Sequence, residues 1–123
     1  MYEVTVSSSF SGAHFLKGYQ GKCEELHGHN WKVEAKVEAE ELDKTGLTLD
    51  FKKLKANLSL ILKELDHTCL NELTYFNQTN PSAENIAQFI YKKLAKLTNN
   101  KAVRLKKISV WETDTSCASY YEK

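Results

Sequence analysis

The sequence is poor in the features that would take it out of the ordinary globular class. A single proline, and no repeat, low-complexity tract or linker, exclude a fibrous or disordered chain. No apolar run reaches the roughly 18 residues that a membrane-spanning helix needs, and no charged n-region followed by an apolar h-region opens the chain. The expectation is therefore a soluble, cytoplasmic protein with no membrane contact. An excess of charge is missing too: 17 basic against 16 acidic side chains leave a net charge of +1. Without a basic face, nucleic acid is not an expected partner. Three cysteines, at positions 23, 69 and 117, are an odd number that argues for reduced thiols over a disulfide framework.

What is present suffices for one core. The 123 residues, 41 % of them hydrophobic and 27 % charged, are read as a single domain over 1–123. Residues 2 to 10, YEVTVSSSF, place Val4, Val6 and Phe10 on even positions, the period of a strand. Residues 31 to 40, WKVEAKVEAE, repeat it more cleanly, with Trp31, Val33, Ala35, Val37 and Ala39 alternating with Lys or Glu. From Phe51 the period lengthens: Phe51, Leu54, Leu58, Ile61, Leu62 and Leu65 form a helical stripe that Asp50 is placed to cap. A second helix follows the proline, with Ile86, Phe89, Ile90, Leu94 and Leu97 as its stripe, Ser82 or Asn80 as cap, and Glu84 near the positive end of the dipole. Two more strands are expected at about 103–112 and 116–121. The order ββααββ predicts an α+β fold, a four-stranded antiparallel sheet with both helices on one face. Residues 15 to 26 and 66 to 81 are left as long loops, a common home for function.

Chemistry gathers in KCEELHGHNW, residues 22 to 31. His27 and His29 are two apart and share a strand face with Val33 and Val37. His14 falls on the even, apolar face of the first strand unless Gly12 marks a bulge that shifts the phase. Three inward imidazoles are a ligand set for zinc, and three protein ligands with one open position characterise catalytic sites. The alternative for a His-x-His pair alone is hydrogen-bonded or surface histidine. Cys23 is compatible with two roles, a fourth ligand closing a structural site or a thiol beside a metal acting as base or nucleophile. His67, directly after Asp66 in LDHTCLN, reads either as a helix C-terminal histidine satisfying loose carbonyls or as a proton-transfer group. Cys69 reads as a small buried hydrophobe. In the third strand Val103 and Leu105 are odd but Ile108 and Val110 even, so a bulge is expected near Lys106 and Lys107. Past it Glu112 lies on the apolar face and needs a partner.

These motifs resemble a family. FSGAH at 10–14, CEELHGHNW at 23–31, LTLDF at 47–51, LDHTCLN at 65–71, NPSAENIAQFIY at 80–91 and VWETDTSCASYY at 110–121 fall, in order and over essentially the whole chain, as in the 6-pyruvoyltetrahydropterin synthase superfamily. The Cys-x-x-x-His-Gly-His spacing is similar to its 6-carboxytetrahydropterin synthase branch, of 7-deazaguanine (queuosine) biosynthesis. Ser82-Ala83-Glu84-Asn85 departs slightly from the Thr-x-Glu-Asn frequent in relatives. The resemblance implies a tunnelling fold (T-fold) and a homo-oligomer, commonly a hexamer made as a dimer of trimers, with sites between subunits. It implies Zn2+ on His14, His27 and His29, Cys23 as catalytic thiol, Asp66 and His67 as proton relay, and Glu112 as the carboxylate that anchors the pterin ring. The implied activity is that of a carbon–oxygen lyase on 7,8-dihydroneopterin triphosphate, giving 6-carboxytetrahydropterin, acetaldehyde and triphosphate. Lys17 and Lys22 are candidate phosphate contacts. Rival readings are the 6-pyruvoyl reaction on the same substrate, a non-catalytic zinc- or pterin-binding oligomer, and a zinc hydrolase.

Overall fold

The computed structural model describes residues 1–19, 21 and 24–123. The alternating segments become two thirteen-residue strands, β1 (Tyr2–His14) and β2 (His27–Ala39). They pair antiparallel residue for residue, from Tyr2 opposite Ala39 to His14 opposite His27. Gly12 therefore marks no bulge, and His14 keeps the phase of Val6 and Phe10. Trp31, Val33, Ala35 and Val37 are fully buried on the same face, as their period of two requires.

Helix α1 (Phe51–Leu62) starts where Asp50 accepts a hydrogen bond from the Lys52 N–H. Helix α2 (Ala83–Thr98) starts where the Ser82 hydroxyl accepts one from the Asn85 N–H. Leu54, Leu58, Ile61, Leu62, Ile86, Ile90 and Leu94 join the inward residues of the strands in one apolar cluster, so both helices cover one sheet face. Phe51 and Leu97, expected in the stripes, stay about half exposed because they sit at helix ends, past the core. Ala87 and Tyr91 are buried instead, and the Tyr91 hydroxyl donates to the Leu105 carbonyl.

Strand β3 (Thr68–Cys69), of two residues, lies in the segment expected to be a loop. It pairs in parallel with Gly12 and Ala13 of β1. Strands β4 (Val103–Thr113) and β5 (Ser116–Tyr120) complete the sheet. Its order is β3-β1-β2-β4-β5, five strands of mixed direction where four antiparallel ones were expected. Two residues have no measurable period, and β3 is held by long-range bonds: the His67 N–H donates to the Ser11 carbonyl at 2.6 Å. The expected bulge in β4 is present. Lys36 faces Lys107 while Val37 faces Leu105, which leaves Lys106 as the extra residue. A second irregularity separates the Trp111–Cys117 and Thr113–Ser116 pairs and leaves Glu112 unpaired with β5. Among the described residues no helix is long and apolar enough to cross a membrane.

Candidate metal centre

The uninterrupted β1–β2 register brings His14 opposite His27, and the two-residue step brings His29 onto the same face. Glu112 reaches them from β4. One donor atom of each of these four side chains lies within 4.8 Å of all the others. His14 is almost fully buried and stands edge-on to Trp31, whose indole N–H donates to the Gly12 carbonyl.

Two backbone carbonyls decide what the imidazoles present. His14 Nδ1 lies 2.7 Å from the Pro81 carbonyl, and His27 Nδ1 lies 2.8 Å from that of Glu25. A carbonyl only accepts, so each Nδ1 carries the proton and each Nε2 is left with a lone pair. Those two Nε2 atoms face each other at 3.1 Å. Lone pairs at that distance repel unless a cation lies between them. His29 Nε2 is buried with no hydrogen-bond partner among the described residues: Glu112 Oε1 is 3.0 Å away but outside hydrogen-bonding geometry. Burial, opposed by the Glu112 charge, lowers the His29 pKa and favours its neutral form. Three imidazole nitrogens and a carboxylate oxygen converge, and the two nitrogens of His14 and His27 present lone pairs. That set fits a divalent ion of the zinc type, with the Nδ1–carbonyl bonds orienting the ligands.

A second group lies at the exposed edge of β1. Adjacent Asp and His side chains usually diverge, but His67 has a left-handed backbone with φ of 55°. This turns its ring back, and Nδ1 meets Asp66 Oδ2 at 2.9 Å. The other carboxylate oxygen accepts from the Ser11 N–H at 2.9 Å. That bond first, and His67 second, hold the Asp66 pKa below its ordinary value. His67 itself is 82 % exposed. It lines an open cleft of about 440 Å³ with Ser11, Ala13, Gly28, Asn30 and Cys69. Cys69 is thus half-buried at a cleft wall rather than a core hydrophobe. Ser11, Ala13, Gly28 and Asn30 alternate with the more buried residues of their strands, and His29 belongs both to the cleft lining and to the imidazole cluster.

Cys23 and Lys22, singled out in the sequence, lie outside the described residues. Lys17 is exposed, and its backbone N–H and carbonyl are held by the Asn80 side chain. Asn71 holds Phe15 in the same two-bond manner. Sequence reasoning named Asn80 only as an alternative helix cap, a place that Ser82 takes, and missed Asn71, the Pro81 and Glu25 carbonyls and the Ser11 amide. Backbone groups carry no residue signature, though the Asn-Pro pair before α2 was visible.

The 6-pyruvoyl tetrahydropterin synthase family matches residues 3–123. The chain belongs to this family. It is an enzyme, a lyase of that family. It is 36 % identical to the 6-carboxy-5,6,7,8-tetrahydropterin synthase of Synechocystis over 98 % of this chain and 94 % of the relative. It is 41 % identical to the dihydroneopterin monophosphate aldolase of Pyrococcus furiosus, over 89 % and 88 %. The solved 6-pyruvoyl tetrahydropterin synthase of Caenorhabditis elegans superposes with a TM-score of 0.82 at 29 % identity, covering all of this chain and 98 % of that one. The sheet and helices described above are therefore the T-fold of the 6-pyruvoyl tetrahydropterin synthase family.

Proposed function

We propose that residues 1–123 form, as one cytoplasmic domain, a zinc-dependent lyase that converts 7,8-dihydroneopterin triphosphate and water to 6-carboxytetrahydropterin, acetaldehyde and triphosphate, in 7-deazaguanine (preQ0/queuosine) biosynthesis. The observation that carries this reading is the convergence of His14, His27 and His29, two of them locked with Nε2 lone pairs turned inward. The Synechocystis relative and the Cys-x-x-x-His-Gly-His spacing support the 6-carboxy branch.

His14, His27 and His29 would hold the ion, which supplies Lewis-acid polarisation of oxygens on the substrate side chain. Cys23, as thiolate, takes and returns protons. His67, backed by Asp66, is the second acid–base group. Glu112 accepts from N–H groups on the ring edge and so fixes which carbon meets the base.

The proposed assembly is a homo-oligomer, a hexamer built as a dimer of trimers. Beyond β3, which covers only Gly12 and Ala13, the outer edge of β1 from Tyr2 to Ser11 has no strand partner among the described residues. β5 leaves a second open edge. Open edges of that length are templates for pairing with another chain. Asp66–His67 sits at the β1 edge, whereas the imidazole cluster faces inward. That arrangement suits a pair that serves the site of a neighbouring subunit.

The test is turnover. Zinc-loaded protein with 7,8-dihydroneopterin triphosphate should form acetaldehyde in equal amount to the pterin product, and Cys23→Ala should abolish both. A 6-pyruvoyl product without acetaldehyde would sink the carboxy assignment. A second reading is favoured by the Pyrococcus furiosus relative: carbon–carbon cleavage of a dihydroneopterin monophosphate. Cleavage of the monophosphate but not the triphosphate would select it.

A further inference from the structure

Glu112 stands where an anchor for the ring alone has no reason to stand. Its Oε1 is 3.2 Å from His14 Nε2 and 3.0 Å from His29 Nε2. As a neutral imidazole His14 has no proton at Nε2 to offer, because its one N–H, at Nδ1, is committed to the Pro81 carbonyl. His29 Nε2 makes no hydrogen bond to the carboxylate either. An anionic oxygen set among nitrogen lone pairs is stable only around a shared cation. The backbone also gives Glu112 room to move. It is the residue left unpaired by the irregularity between β4 and β5, and its side chain is 36 % exposed. A bulge beside a site is a common means of re-aiming one side chain.

We propose that Glu112 is the fourth ligand of the metal held by His14, His27 and His29 when no substrate is bound, and that the ring draws it off the metal. One carboxylate serves two stations. On the metal it completes a four-coordinate set and reduces the net charge of the centre by one. On the ring it accepts from N–H donors and leaves one metal position free. Ring and metal then compete for Glu112, so each weakens the affinity of the other by the same factor. Ligation follows from the geometry alone. The exchange rests on the pterin reading.

The experiment measures zinc affinity by competition with a chromophoric chelator, and the visible spectrum of the cobalt(II) form, for wild type and Glu112→Gln. Circular dichroism confirms that the variant is folded. Removal of an outer-shell partner costs about 10–100-fold in metal affinity, so loss of a direct ligand should cost the variant at least about tenfold and alter the cobalt spectrum. Equal affinity with an unchanged spectrum overturns the proposal. Pterin itself, which has the ring but no side chain, should weaken zinc binding and shift the cobalt spectrum in wild type. That arm needs no variant, and no effect of pterin overturns the exchange. The acetaldehyde assay separates the two readings. Turnover with an unaltered Glu112→Gln metal site sinks the ligation and keeps the reaction, whereas a weakened metal site without wild-type turnover does the reverse.

Discussion

A histidine is a ligand only when the correct nitrogen is free, and here that choice is made by the Pro81 and Glu25 carbonyls. His29 is tuned by burial instead, and the sign of its effect follows. Its folded pKa lies below that of the unfolded chain, about 6.5, so the unfolded state binds more protons in the interval between the two. Metal-free protein should lose stability as pH falls from about 6.5 toward the lowered value. His29→Gln should flatten that slope in urea titrations run at several pH values. Asp66 acts in the same direction in a more acid range, through its charged rather than its neutral form. Its depressed pKa adds stability above the unfolded value near 3.8, lost as pH falls through the folded value. The chemical role of the pair is read separately: His67→Ala should lower kcat by about 10²–10⁴-fold while zinc content, measured by atomic absorption, stays at the wild-type level. The histidines, Asp66 and Glu112 were legible as residue types. Whether Asp66 and His67 meet was not, because it depends on one positive φ.

Among the elements, the β1–β2 ladder matters most, since a one-residue slip would turn His14 away from His27 and His29. The unbroken register from Tyr2 to His14 follows from two strands whose apolar sets both face the helices. The bulge at Lys106 was readable as a change of parity between Leu105 and Ile108. β3 was not readable, for it is too short to show a period and rests on the bonds from Asp66 and His67 to Ser11. The helix starts were legible through their caps. Ser82→Ala should cost about 1 kcal/mol in urea denaturation. Leu58→Ala, fully buried in the core, should cost about 2–5 kcal/mol and leave the zinc stoichiometry of the folded fraction unchanged.

At the scale of the whole molecule the question is what covers the outer edges of β1 and β5. A sheet left with two open edges would associate without limit unless pairing closes on itself. Sedimentation equilibrium should therefore give one discrete species well above the monomer mass, and a monomer at micromolar concentration would sink the assembly. The types of the four long strands and both helices, the helix caps, the inward faces and the ligand residue types were determined by the sequence alone, because period and residue chemistry are local properties. Only the tertiary structure decided that His14 meets His27, which nitrogens turn into the cluster, that Asp66 turns to His67 and that Glu112 reaches the imidazoles. Each of those depends on a register, a bulge or a carbonyl from a distant segment, and such contacts form only after the chain has packed.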